Sequence, residues 1–204
     1  MAILYGFAFV FIILHVGLHF YHYHFDRVPR LLLQMFDLDQ ENNLPTWFSG
    51  FILLNIALAV FVYSSASGLK KRFHWRLLSI GFLVLAIDEV AGIHETINTV
   101  TEINWAIPAA IVLIVLLAAF VPFLFSLRRK LALLFILSGL MFVGGAIFIE
   151  LLSQNNNNDS MVYKMHVAIE EGLEMLGALL FLFANLVEIS KHKEVRIDVA
   201  DEPV

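Results

Sequence analysis

The chain contains no cysteine. Disulfides, thiolate nucleophiles, zinc–thiolate sites and iron–sulfur ligation are excluded, and cysteine usage carries no sign of the redox compartment. Charge is scarce: 15% of the 204 residues are Asp, Glu, Lys or Arg, against about 25% in an ordinary soluble domain. That scarcity argues against a soluble enzyme, and no basic surface suggests nucleic acid. There is no HExxH metalloprotease motif. The stretch 1–20 has no charged n-region and no small-residue cleavage site, so it reads as a retained helix.

What fills the chain is apolar. Hydrophobic residues make up 60% and the mean hydropathy is +0.81. Several apolar runs reach the roughly 20 residues needed to cross about 30 Å of hydrocarbon. Six spans are expected, at about 2–24, 47–66, 76–98, 106–126, 131–153 and 161–189. In lipid the backbone must satisfy its own hydrogen bonds, so each span is expected to be helical. The fold class is all-α: an integral membrane bundle of six transmembrane helices. Residues 1–190 form a single transmembrane domain, 25–46 an outer interfacial loop and 191–204 a polar cytoplasmic tail. Pro108 falls in the first turn of the fourth span, and Pro122 is expected to kink that helix near its end.

The basic residues set the orientation. Ten of the thirteen Lys and Arg lie in 66–76, 127–131 and the tail; Arg27, Arg30 and Lys164 lie on the other side. By the positive-inside rule both termini are cytoplasmic, and the loops 25–46, 99–105 and 154–160 face outward. Within the first loop, Arg30–Phe36 follows Pro29 and reads as a short interfacial helix. The acidic run Asp37-Leu-Asp39-Gln-Glu41-Asn-Asn43 begins like a calcium loop. It then fails at Asn42, where Gly is needed, and at Phe48, where Glu is needed. A solvated acidic turn capping the second span is the expectation. Asn155–Asn158 reads as a flexible polar turn.

Against that apolar background, ionisable residues inside the spans are the informative feature. They include Asp88, Glu89, Glu95, Glu150, Glu170, Glu171 and Glu174, with His15, His19, His22, His24, His94 and His166. Each charge at mid-bilayer costs at least about 2.5–3.5 kcal/mol on insertion scales, so pairing, shared protons, water or a metal must offset it. At 100° per residue His15, His19 and His22 share one stripe of the first span. Asp88 and Glu95 align on the third, while Tyr163, His166, Glu170 and Glu174 fall within about 80° on the sixth. Glu171 points elsewhere and pairs locally or faces water. All lie in the outer halves of their helices.

This spacing predicts one metal centre with ligands from His15, His19, His22, Asp88, Glu95, His166, Glu170 and Glu174. Glu89, His94, Glu150 and Tyr163 stand behind or beside them. Glu95 and Glu174 are the candidate catalytic acid–base groups. Imidazole and carboxylate without thiolate suit a divalent Zn, Fe or Mn ion. The Glu-x-x-His signature of helical di-iron bundles is absent, and only His166-x-x-x-Glu170 comes near it. The alternative for the same residues is a structural His–carboxylate network. For His22 and His24, beside Tyr21 and Tyr23, it is an interfacial belt.

Three function classes follow. A metal-dependent membrane enzyme would hydrolyse or oxidise a lipid or other membrane-embedded substrate. A proton or cation translocator would use the acids and histidines as a relay, yet the inner halves of the spans are apolar. A structural subunit would dock membrane-protein partners or a second copy of itself.

Three blocks carry a resemblance: FDLDQENN followed by PTWFS at 36–49, DEVAGIHE at 88–95 and EEGLEMLG at 170–177. Together they resemble a group of small multi-pass bacterial membrane proteins to which no activity is attached. The resemblance implies a bacterial inner-membrane location and nothing about mechanism.

Overall fold

The computed structural model describes residues 1–65, 71–101, 104–153 and 160–191. Every regular element among them is helical: α1 (Ala2–His24), α2 (Arg30–Phe36), α3 (Leu44–Ser64), α4 (Arg72–Ala91), α5 (Ile93–Thr101), α6 (Ala106–Ser126), α7 (Arg129–Val143), α8 (Glu150–Ser153) and α9 (Met161–Lys191). A π-helical stretch, Gly144–Ile149, joins α7 to α8 without a break. Among the described residues five helices are long and apolar enough to cross a membrane: α1, α3, α6, the continuous Arg129–Ser153 and α9. The interfacial helix expected at Arg30–Phe36 is α2. The expected turn at Asn155–Asn158 and the tail beyond Lys191 lie outside the described residues.

Local signals account for the helix ends. Asn43 caps α3: its Oδ1 accepts the Thr46 N–H at 3.1 Å, and Pro45 fills an N-terminal position where no donor is needed. Pro122 lies inside α6 without ending it. The third expected span, 76–98, is not one helix. Gly92 adopts φ +59, a left-handed geometry that terminates α4, and its N–H bonds back to the Asp88 carbonyl at 2.8 Å. The chain then restarts as α5.

Packing centres on α9, whose buried positions run from Lys164 to Glu188. Small residues let helices approach it. A Cβ on Gly145 would stand 2.5 Å from the Glu170 carbonyl oxygen, and one on Gly177 would stand 2.8 Å from the Phe142 nitrogen. The π stretch and α7 can ride this close to α9 only because glycine occupies both sites. Aromatic rings fill the far end of the core, with Phe135 and Phe181 centroids 4.3 Å apart and Trp75 set edge-on to Tyr63 at 4.8 Å. There the Arg128 guanidinium pairs with the Glu188 carboxylate. By contrast α6 buries only Ala106 and Phe123.

Candidate functional site

Two polar clusters sit side by side at the end of the bundle where α1, α4 and α8 finish and α3 and α9 begin. The first joins α1, the α2–α3 loop and the first turn of α9. His15, His19, Asp37 and Lys164 are buried, with 0%, 6%, 7% and 8% exposure. Four residues apart, His15 and His19 share a helix face, their rings tilted at 57° with centroids 4.7 Å apart. Asp37 Oδ1 lies 3.2 Å from His15 Nδ1, and its Oδ2 lies 3.2 Å from His19 Nε2. Lys164 Nζ reaches Asp37 Oδ2 at 3.2 Å and Asp39 Oδ2 at 2.8 Å. The Tyr163 hydroxyl donates to Asp39 Oδ1 at 2.7 Å.

Hydrogen bonds assign the His15 tautomer. Its Nδ1 accepts the Leu38 N–H at 2.9 Å, so its Nε2–H donates to the Lys164 carbonyl at 3.0 Å. Nδ1 therefore carries no proton, and with its lone pair on Leu38 it offers Asp37 no hydrogen bond. His19 Nε2 has the distance of an ion pair to Asp37 but not the direction of a hydrogen bond, and it is buried without a hydrogen-bond partner. Burial alone would raise the Asp37 carboxyl. The Lys164 ammonium, with the His19 ring beside it, outweighs burial and holds that carboxyl well below the usual carboxylate range. Ligand atoms of His15, His19 and Asp37 all lie within 4.8 Å of one another, so this group could hold a metal ion.

The second cluster lines a cavity of about 200 Å³. Eight carboxylates face it: Asp39 and Glu41 from the α2–α3 loop, Asp88 and Glu89 from α4, Glu150 from α8, and Glu170, Glu171 and Glu174 from α9. His94, Trp105 and Tyr163 complete the polar wall. Asp88 closes the α4–α5 corner, its Oδ1 accepting the His94 N–H at 3.0 Å and its Oδ2 lying 3.1 Å from His94 Nδ1. Glu150 Oε1 accepts from the Asn104 amide at 3.0 Å. A smaller recess beyond is lined by Glu89, Glu171 and Glu174 together with Ser49.

The single centre expected from the sequence is thus divided. His15 and His19 join Asp37, while Asp88, Glu170 and Glu174 line the chamber with Glu89, His94, Glu150 and Tyr163. His22 stands apart, its Nδ1 accepting the Val28 N–H at 3.2 Å, and His166 lines no part of the chamber. His24 is exposed and bonds the Phe20 carbonyl. The side chain of Glu95 lies outside the described residues; its expected alignment with Asp88 does not arise, because Gly92 ends the helix between them. Glu171, expected to point away, lines the chamber beside Glu170 and Glu174. The acidic turn caps α3 as expected, through its last residue Asn43, but it is folded inward and not solvated, with Asp37 buried.

Sequence reasoning missed Asp37, Asp39, Glu41 and Lys164. One signal was present: a stripe of apolar-span histidines needs partners, and the nearest acids in the chain are those of the following loop. No curated protein and no solved structure matches the chain. Residues 4–189 match the family described as Domain of unknown function (DUF8692), and the chain belongs to that family.

Proposed function

We propose that this protein is a metal-dependent membrane enzyme, with a divalent Zn, Fe or Mn ion at His15, His19 and Asp37 and its working groups in the adjoining acidic chamber. The observation that carries the reading is the arrangement around Asp37. His15 Nδ1 lies 3.2 Å from Asp37 Oδ1 with no proton between them, its lone pair taken by the Leu38 N–H that an ion would displace, and His19 Nε2 is buried without a hydrogen-bond partner. Ligands about 2.0–2.1 Å from a tetrahedral zinc stand about 3.3 Å apart, close to the separations here. Such an ion supplies Lewis acidity and brings a bound water to a pKa of about 7. Three ligands suit one ion, which favours hydrolysis over the oxygen chemistry of a dinuclear iron site. Tyr163 and Asp39 link the group to the chamber, where Glu174 would take and return protons, with Glu95 the other candidate acid–base group.

The same reading makes α4 a sixth span, with Arg72 and Arg76 toward one end and Asp88 and Glu89 at the other. The distribution of Lys and Arg then places both termini in the cytoplasm and the chamber in the outward half of the cell membrane. The substrate is a lipid or another membrane-embedded molecule.

A second reading rests on Lys164. Its ammonium already meets Asp37 and Asp39, so the cluster can stand as an ion-pair network tying α1 to α9. Elemental analysis of protein purified under metal-replete conditions separates the two. Stoichiometric ion that is lost in His19→Ala and kept in Glu174→Gln supports the first reading. Metal-free protein overturns it in favour of the network. Ion kept in His19→Ala but lost in Glu174→Gln would move the centre into the chamber.

A further inference from the structure

A second cavity, of about 250 Å³, lies where α6 stands off from α4, α7 and α9. Its character is the reverse of the acidic chamber. Leu78 and Phe82 of α4, Leu117 and Phe120 of α6, and Phe135 and Phe181 line it, and among its lining residues Ser138 is the one hydroxyl. The two cavities are neighbours, with Leu85 and Phe142 lining both. Eight carboxylates thus lie on one side of these two side chains, and on the other a greasy slot walled by the least buried apolar helix of the bundle.

We infer that these adjoining cavities together bind a single-chain amphiphile with a cationic, amine-bearing polar end, its chain in the apolar slot between α6 and α9 and its polar end past Phe142 among the carboxylates. The inference rests on the proposed function and names its substrate class. Size sets the chain number. An apolar cavity of about 150 Å³ holds a benzene, so a slot of about 250 Å³ has room for one chain segment and too little for two. Charge sets the polar end. A carboxylate or phosphate would face eight acids, offset by His94 and by Lys164 on Asp39, whereas an ammonium gains from each ionised acid and adds no like charge. Lipid supplies the route, because α6 presents its flank to the bilayer in this reading and the slot lies directly behind it.

Gly139 gives a clean way to close the slot. It lines the apolar cavity, and a Cβ there meets nothing within 4 Å, so Gly139→Leu fills space without forcing the backbone. Gly81→Leu is the control, since it too has open space around a Cβ but lies outside the slot. The probe is a long-chain amine carrying a mid-chain diazirine, photolysed with the full-length protein in phosphatidylcholine nanodiscs, with the matched fatty acid in parallel. Cross-links are expected in the peptides of α6 and α9 that line the slot. Gly139→Leu should reduce them about tenfold, the value of displacing two chain methylenes, and Gly81→Leu should leave them unchanged. The fatty acid should label the slot far less than the amine. Labelling spread evenly over lipid-facing helices, labelling indifferent to Gly139→Leu, or equal labelling by acid and amine would each overturn the inference. Metal content is read on the same samples. Bound ion without slot labelling removes the amphiphile and leaves the metal centre; slot labelling without ion removes the metal centre and leaves the amphiphile.

Discussion

The cluster around Asp37 and the chamber next to it draw on the same residue types, yet they are built on opposite charge balances. Around Asp37 an ammonium and two imidazoles close on two carboxylates, and all but Asp39 are nearly sealed from solvent. In the chamber eight carboxylates face one histidine, and each keeps part of its surface open. A buried charge is tolerable when paired and costly when one partner is removed; like charges brought together cost stability and persist where they serve a ligand. The first arrangement therefore reads as structure that an ion can join. The second reads as a site that the fold carries at a cost.

The largest effect should come from unbalancing the first cluster. Lys164→Met leaves Asp37 and Asp39 without their ammonium, and breaking a buried pair of this kind costs about 3–5 kcal/mol. Denaturant unfolding in a mild detergent measures it. If the ion site is real, added Zn²⁺ should restore part of the loss, because the metal then replaces the missing positive charge. Wild-type stability in Lys164→Met would dissolve the contrast between the clusters.

Next is the corner that joins them. Gly92 holds φ +59, and a Cβ there would lie 1.9 Å from Glu41 Oε2. Gly92→Ala combines left-handed strain with that clash, for an expected loss of about 1–3 kcal/mol. Adding Glu41→Ala should recover the steric part only, leaving the backbone part in the double-mutant cycle.

The chamber should respond with the opposite sign. Glu174→Gln removes one of the crowded acids at nearly constant volume, so the variant should be more stable than wild type by roughly 0.5–2 kcal/mol while losing the function the site serves. A destabilised Glu174→Gln would mean that Glu174 is held by a partner, and that the chamber is balanced in the same way as the first cluster.

Much of this organisation was legible in the chain, and the failures have physical causes. Long apolar runs bounded by basic loops give helices almost without ambiguity, and α1, α3, α6 and α9 lie close to their expected limits. The clustering of Asp88, Glu170 and Glu174 was legible because helical periodicity and depth are both linear in residue number. Gly92 was harder, since a single glycine inside an apolar helix is tolerated as often as it breaks one. The α2–α3 loop was harder still. Its acids look solvated by composition, and their burial depends on Lys164, more than 120 residues away in sequence. Periodicity places residues on one face; it says nothing of which distant cation a loop will fold onto.

The smallest effect sharpens the comparison by pH. The Asp37 carboxyl is held below its ordinary value, despite its burial, by Lys164 and the His19 ring. A carboxylate whose folded pKa is depressed binds fewer protons when folded than when unfolded. Its contribution is then complete above the unfolded value of about 3.9 and is lost as pH falls through the folded one. In chelator-treated protein the unfolding midpoint should therefore fall on acidification below about pH 4, and Asp37→Asn should flatten that limb while lowering stability at neutral pH. Gln in place of Glu174 should leave the slope of the Asp37 limb intact, since its carboxylate takes no part in those contacts. An acid limb unchanged in Asp37→Asn would assign the acid sensitivity to the chamber instead, and the two clusters would then trade roles.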